Sequence, residues 1–171
     1  MCMYVARVCV YRADLEAECE WLNSYNKFSA SAEVIQAKLK SYGDLCSQGD
    51  SFGQFLLGYC YYWGFGVDID WKRAAELSTL SAEQGNAWGQ YRLGECYYGG
   101  WGVSQDYKRA VELFTLSAEQ GNAEGQHRLG WCYYHGGGVT KNRDLARQWW
   151  KRAAAQGHED AKSNLKSYFN E

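Results

Sequence analysis

Three groups of residues in this chain of 171 have types and spacings on which chemistry could be built. His127, Cys132 and His135 lie within one short stretch. Their spacing matches no standard zinc arrangement, in which ligands pair at short fixed intervals. Two residues eight apart on a helix are separated by about 12 Å of rise, so His127 and His135 cannot share an ion. Packing and surface roles are expected, and no metal site is predicted. Cys132 and His135, at i and i+3, could meet as a nucleophile and its base. The same cysteine position recurs at Cys60 and Cys96, three residues ahead of Trp63 and Gly99. A reactive thiol needs an activating neighbour, so no catalytic residue is assigned. The third group is the loops Gly64-Phe65-Gly66-Val67, Gly100-Trp101-Gly102-Val103 and Gly136-Gly137-Gly138-Val139. Phosphate-binding glycines follow a strand. These follow a helical pattern, so they read as turn chemistry, and no cofactor is predicted.

What positions these residues is a repeat. Gly49, Gly85, Gly121 and Gly157 recur every 36 residues, and the text between them is copied: Leu57, Leu93, Leu129; Tyr61, Tyr97, Tyr133; Ala74, Ala110, Ala146. A fixed period of this size marks a stacked array of supersecondary units. Apolar positions recur at helical steps, which predicts a first helix near 51–62, 87–98 and 123–134. A second helix is predicted near 70–83, 106–119 and 142–155. Asp70, Asp106 and Asn142 suit the N-cap of the second helix. The loop glycines suit the left-handed end of the first. Helices this short are marginal alone and must shelter one another. The expected fold is therefore all-α, an α/α superhelical solenoid of helix-turn-helix repeats. Its parts are an N-terminal helical pair over 1–48, three repeats over 49–156 and a C-terminal capping helix over 157–171. Within the first part, residues 4–24 read as one helix and Ser31 as the N-cap of another.

Glycine recurs inside the first helix, at Gly53, Gly89, Gly125 and at Gly58, Gly94, Gly130. A mid-helix glycine costs about 1 kcal/mol against alanine. Close approach of a neighbouring helix explains it. The recurring Leu, Tyr and Ala, with Ala82, Ala118 and Ala154, are expected to form the core.

The positions that change between copies are Phe52, Phe55, Leu56, Tyr59 and Trp63; Trp88, Tyr91, Arg92, Glu95 and Gly99; Glu124, His127, Arg128, Trp131 and His135. Steps of three and four put them on one face, and stacking lines these faces into a concave groove, the surface solenoids use for binding. Trp, Tyr and Arg are enriched at interaction hot spots. The expected partner-binding groove is Trp63, Trp88, Tyr91, Arg92, Glu95, His127, Arg128, Trp131 and His135, with the first-copy residues alternatively packing on the N-terminal helices. Lys72-Arg73 and Lys108-Arg109 read as a solvated outer face.

The net charge of −2 shows no basic field for nucleic acid. No apolar run reaches the ~20 residues of a membrane helix, and no cleaved leader is expected. Seven cysteines include one equivalent position per repeat, at Cys60, Cys96 and Cys132. Adjacent copies in a helical stack sit roughly 10 Å apart, beyond disulfide reach. All are read as reduced and mostly buried, which favours a cytoplasmic location.

The pattern G-N-A-x-G-Q-x-x-L-G-x-x-Y-Y-x-G-x-G-V, continued by S-A-E-Q, resembles the Sel-one-like repeat (SLR), a relative of the tetratricopeptide repeat. The resemblance covers residues 49 to about 168. It implies a solenoid that serves as a non-enzymatic scaffold or adaptor for a protein or peptide partner, with no family-wide catalytic residue to carry over. Two positions depart from the family pattern: Asp68, Ser104 and Thr140 stand where Pro is usual, and Gly53, Gly89 and Gly125 where Ala is common. An alternative is a hydrolase of the cysteine-rich SLR type, for which β-lactam-related activity has been proposed. Those members carry two paired cysteines per repeat, whereas this chain carries one. A second alternative is a fragment of a larger multi-domain adaptor.

Overall fold

The computed structural model describes residues 32–170. They form α1 (Ala32–Ser47), α2 (Ser51–Trp63), α3 (Trp71–Glu83), α4 (Ala87–Gly99), α5 (Tyr107–Glu119), α6 (Ala123–His135), α7 (Arg143–Ala155) and α8 (Glu159–Phe169), with no strand among the described residues. The helix predicted over 4–24 and the cap at Ser31 lie outside the described residues. Packing divides the chain into two units, Met1–Gln36 and Ala37–Glu171, and all the repeats lie in the second.

From α2 onward, each helix starts where a side chain satisfies some of its free N–H groups. Asp70, Asp106 and Asn142 cap α3, α5 and α7, accepting from Arg73 N–H at 2.9 Å, Arg109 N–H at 3.1 Å and Leu145 N–H at 3.0 Å. Asp50, Asn86 and Asn122 cap α2, α4 and α6 in the same way. The first helices end on Gly64, Gly100 and Gly136 in the left-handed region, at φ 75°, 72° and 82°, each donating its N–H back to the carbonyl of Cys60, Cys96 or Cys132. Only glycine takes this conformation without strain.

Hairpins α2–α3, α4–α5 and α6–α7 stack in series through α3–α4, α5–α6 and α7–α8. The recurring glycines let the helices approach. A Cβ on Gly94 would stand 2.6 Å from Phe114 Cε1, and one on Gly130 2.6 Å from Trp150 Cδ1. At Gly89 and Gly125 it would meet the hydroxyls of Ser81 and Ser117. Those hydroxyls donate within their own hairpin, Ser81 to the Ser51 carbonyl at 2.6 Å and Ser117 to the Ala87 carbonyl at 2.7 Å. A glutamine pair also repeats within every hairpin. Gln84, Gln120 and Gln156 donate to the buried Gln54, Gln90 and Gln126 at 2.8, 2.7 and 2.8 Å.

The core is built from Ala74, Ala110 and Ala146, from Cys60, Cys96 and Cys132, and from Leu77, Phe114 and Trp150. Leu93 and Leu129 are buried as expected, but Leu57, Ala82 and Ala154 are only half-buried. Tyr61, Tyr97 and Tyr133 are also half-buried. Their side chains pack against the edge of the core, and each lends its backbone carbonyl to the N–H of Asp70, Asp106 or Asn142 at 2.9 Å.

Candidate binding face of the first helices

The first helices also touch one another directly, α2 with α4 and α4 with α6. No pair of second helices packs comparably, so the first helices line the tighter side of the stack. The nine residues expected to form a groove all lie on them, but the close flanks cover several. Tyr91, Arg92, Glu95 and His127 are buried. Trp88, Arg128 and Trp131 are half-buried, and Trp63 and His135 are exposed. An open groove along all nine is therefore not what the structure presents. The physical reason is diagonal packing, in which a side chain of one first helix fills the space beside the next.

These diagonals are specific. The rings of Phe55 and Trp88 are 5.6 Å apart. The Arg92 guanidinium lies 4.6 Å from the Tyr59 ring, 4.8 Å from Tyr62 and 5.2 Å from Tyr91. Its Nε has no hydrogen-bond partner among the described residues, so aromatic faces carry its charge. Arg128 Nη2 pairs with Glu95 Oε2 at 3.0 Å. Burial pushes the Glu95 carboxyl above the usual carboxylate range, while Arg128 and Arg92 pull it down. The direct contact with one guanidinium and the proximity of a second favour the ionised pair at neutral pH.

Between α6 and α8 the face stays open. A pocket of about 210 Å³ is lined by His127, Arg128, Trp131, Asp160, Ser163 and Asn164. Trp131 packs against His135 with ring centroids 4.2 Å apart and the rings tilted by 44°. His127, which lines the pocket, also meets His158, their rings 4.5 Å apart, and His158 Nε2 lies 3.2 Å from Glu124 Oε2. Burial, with His158 and Arg128 nearby, depresses the His127 imidazole to about 4. Burial would raise the Glu124 carboxyl, but the hydrogen bond from His158, with His127 and Arg128 nearby, outweighs it and holds it below the usual range.

His127, Cys132 and His135 do not come together: Cys132 is buried, His135 is exposed, and His127 instead joins Glu124 and His158. Burial pushes the Cys96 thiol up to about 11 and the Cys132 thiol up to about 12. Both are protonated at neutral pH and poor nucleophiles. Lys72, Arg73, Lys108 and Arg109 are exposed, with Arg73 paired to Glu76 at 3.2 Å and Arg109 over the Tyr97 ring at 4.9 Å.

Sequence reasoning did not join His158 to the site. The signal was present in the period: His158 occupies the cap position held by Asp50, Asn86 and Asn122.

The sequence model of the Sel1 repeat matches residues 51–86, 89–122 and 123–158. The chain belongs to the Sel1 repeat family. Its first and third matched segments open at or beside the first residue of a first helix and run through the N-cap of the next. No curated protein matches the chain. It is similar to a Sel1 repeat protein from Oxalobacter formigenes, at 29% identity and TM-score 0.68 over 82% of this chain and 60% of that one. It is also similar to c5321, a protective antigen of uropathogenic Escherichia coli with an SLR fold, at 31% identity and TM-score 0.76. That match covers 94% of this chain and 35% of c5321, so this chain spans less than two thirds of either relative's length. Helicobacter pylori cysteine rich protein B shares the fold at 22% identity and TM-score 0.60, over 80% of this chain and 98% of that one. No helix among the described residues is long and apolar enough to cross a membrane.

Proposed function

We propose that this Sel1 repeat protein is a non-enzymatic scaffold that holds a protein or peptide partner on its first-helix face, in a compartment that keeps thiols reduced. The observation that carries the reading is the cleft between α6 and α8, where Arg128 and Trp131 stand together at an open surface. A partner would insert an apolar or aromatic side chain against Trp131 and set a carboxylate near the solvent-exposed part of Arg128, whose side chain is 37% exposed. The exposed Trp63 extends the same face toward the first repeat. Buried aromatic and arginine anchors dominate interfaces of this kind, which is why a few residues suffice. The compartment is supported by the thiols of Cys46, Cys96 and Cys132, which form no disulfide among the described residues.

Selection of displayed peptides on the folded chain, followed by calorimetry, tests the proposal. Selected peptides are expected to carry an acidic residue beside an aromatic one. Trp131→Ala should weaken them about tenfold or more, with unchanged helicity by circular dichroism. Leu116→Ala, on the exposed side of α5, should leave binding unchanged. Equal affinity for wild type and Trp131→Ala would refute the site.

A further inference from the structure

Three equivalent positions, spaced by the repeat period, change character together in the last copy. The first copy places Phe52, Phe55 and Asn86 there, the second Trp88, Tyr91 and Asn122, the third Glu124, His127 and His158. An aromatic pair and a capping amide give way to a carboxylate and two imidazoles. In the earlier copies the paired rings contact each other, Phe52 with Phe55 at 5.8 Å and Trp88 with Tyr91 at 6.4 Å. In the third, one potential ligand atom from each of Glu124, His127 and His158 lies within 4.8 Å of the others.

We propose that Glu124, His127 and His158 form a binding site for a divalent zinc-like ion, with its open coordination position toward the α6–α8 pocket. Two imidazoles and one carboxylate are donors suited to zinc(II), which accepts three protein ligands and keeps a fourth position for water or another ligand. The 4.8 Å spread exceeds the separation of donors around one tetrahedral ion, so binding draws the three side chains inward by rotamer adjustment. Glu124 is one-third exposed at its side chain, and it pairs with His158, itself a member of the site. Asn164 Nδ2 lies 3.0 Å from His127 Nε2; ligation through Nδ1 puts the imidazole proton on Nε2, and the Asn164 amide must then turn to accept it through its oxygen, the outer hydrogen bond that orients a ligating imidazole. The charge of Arg128 nearby is offset by Glu95 at 3.0 Å and by Asp160 in the pocket wall.

Coordination has a definite cost at His158. Its Nδ1 accepts the Ala161 N–H as the cap of α8, which leaves the imidazole proton on Nε2, facing Glu124. For Nε2 to bind an ion, that proton must move to Nδ1, and the cap bond is lost. The bond is 3.3 Å long. Every other side-chain cap in the repeats is shorter, the longest being 3.1 Å. His158 is therefore the capping residue whose hydrogen bond is weakest to give up.

The test is titration of the intact chain with zinc(II), and in parallel with cobalt(II), in wild type, His158→Asn and Glu124→Gln. His158→Asn restores the cap used at Asn86 and Asn122, so the fold is retained while one ligand is removed. Wild type should bind one ion per chain. The cobalt complex should show the visible bands of a four-coordinate nitrogen and oxygen site without thiolate charge-transfer absorption. Each variant should weaken binding at least about tenfold, since even outer partners of metal ligands contribute about 10–100-fold. Absence of binding, undiminished binding in His158→Asn, or thiolate absorption from the cobalt complex would each overturn the proposal.

Discussion

Arg128 Nη2 and Glu95 Oε2 meet at 3.0 Å across two successive hairpins, with the Glu95 side chain 7% exposed and that of Arg128 37% exposed. This contact ties α4 to α6 on the face where the helices are closest. It also explains why an arginine expected to be free for a partner is partly committed within the fold.

Removing one member should therefore cost more than removing both. Arg128→Ala leaves a buried carboxylate without its counter-charge. The expected loss is about 2 kcal/mol, below the roughly 3–5 kcal/mol of a fully buried pair because Arg128 is partly solvated. Arg128→Ala combined with Glu95→Ala should recover part of that loss. Urea unfolding of the two single variants and the double variant measures the coupling, and strictly additive losses would show that the pair contributes nothing specific.

Glycines within helices should respond with opposite signs, according to what surrounds them. At Gly94 a Cβ would sit 2.6 Å from Phe114 Cε1 and 3.3 Å from the Ala110 carbonyl. Gly94→Leu should overpack this junction and destabilise by at least about 1–3 kcal/mol. Gly43 lies in α1 with nothing within 4 Å of its added Cβ, so Gly43→Ala should stabilise by about 0.5–1 kcal/mol through helix propensity. Melting temperatures decide both. Equal shifts for the two would mean that helix propensity, and not close approach, accounts for the recurring glycine.

The helices, caps and glycine contacts were legible because each follows from local chemistry that the period repeats. Asp70, Asp106 and Asn142 declare helix starts, and Gly64, Gly100 and Gly136 declare ends. The face of the first helices was legible only as a location. Spacing placed Tyr91, Arg92 and Glu95 on it, but spacing carries no information on how near the next helix lies. That distance is set by glycine and serine at the junctions, and it buries those three. The glutamine pairs were overlooked for a related reason: Gln84 and Gln54 are 30 residues apart, and no helical pattern links them. His158 was separated from Glu124 and His127 by the same kind of gap, closed only by stacking.

Thiol chemistry separates the scaffold reading from a hydrolase of the cysteine-rich type. A disulfide-framed repeat protein exposes few free thiols on unfolding, whereas the spacing of Cys60, Cys96 and Cys132 down the stack opposes pairing. All seven cysteines are expected to titrate with an aromatic disulfide reagent in denaturant without reductant. In the native state, Cys60, Cys96 and Cys132 should react slowly, because each is at most 2% exposed. With Cys132 pushed up to about 12 and Cys96 to about 11, the thiolate fraction at neutral pH is minute. Reaction must then wait for local opening of a hairpin, so its rate should rise with low denaturant and track stability. Gly94→Leu should accordingly speed labelling at Cys96, while Gly43→Ala should not. Mass spectrometry after timed labelling reads each site. Rapid native labelling of Cys132, unaffected by stability, would mean an activated thiol and would reopen the enzymatic reading.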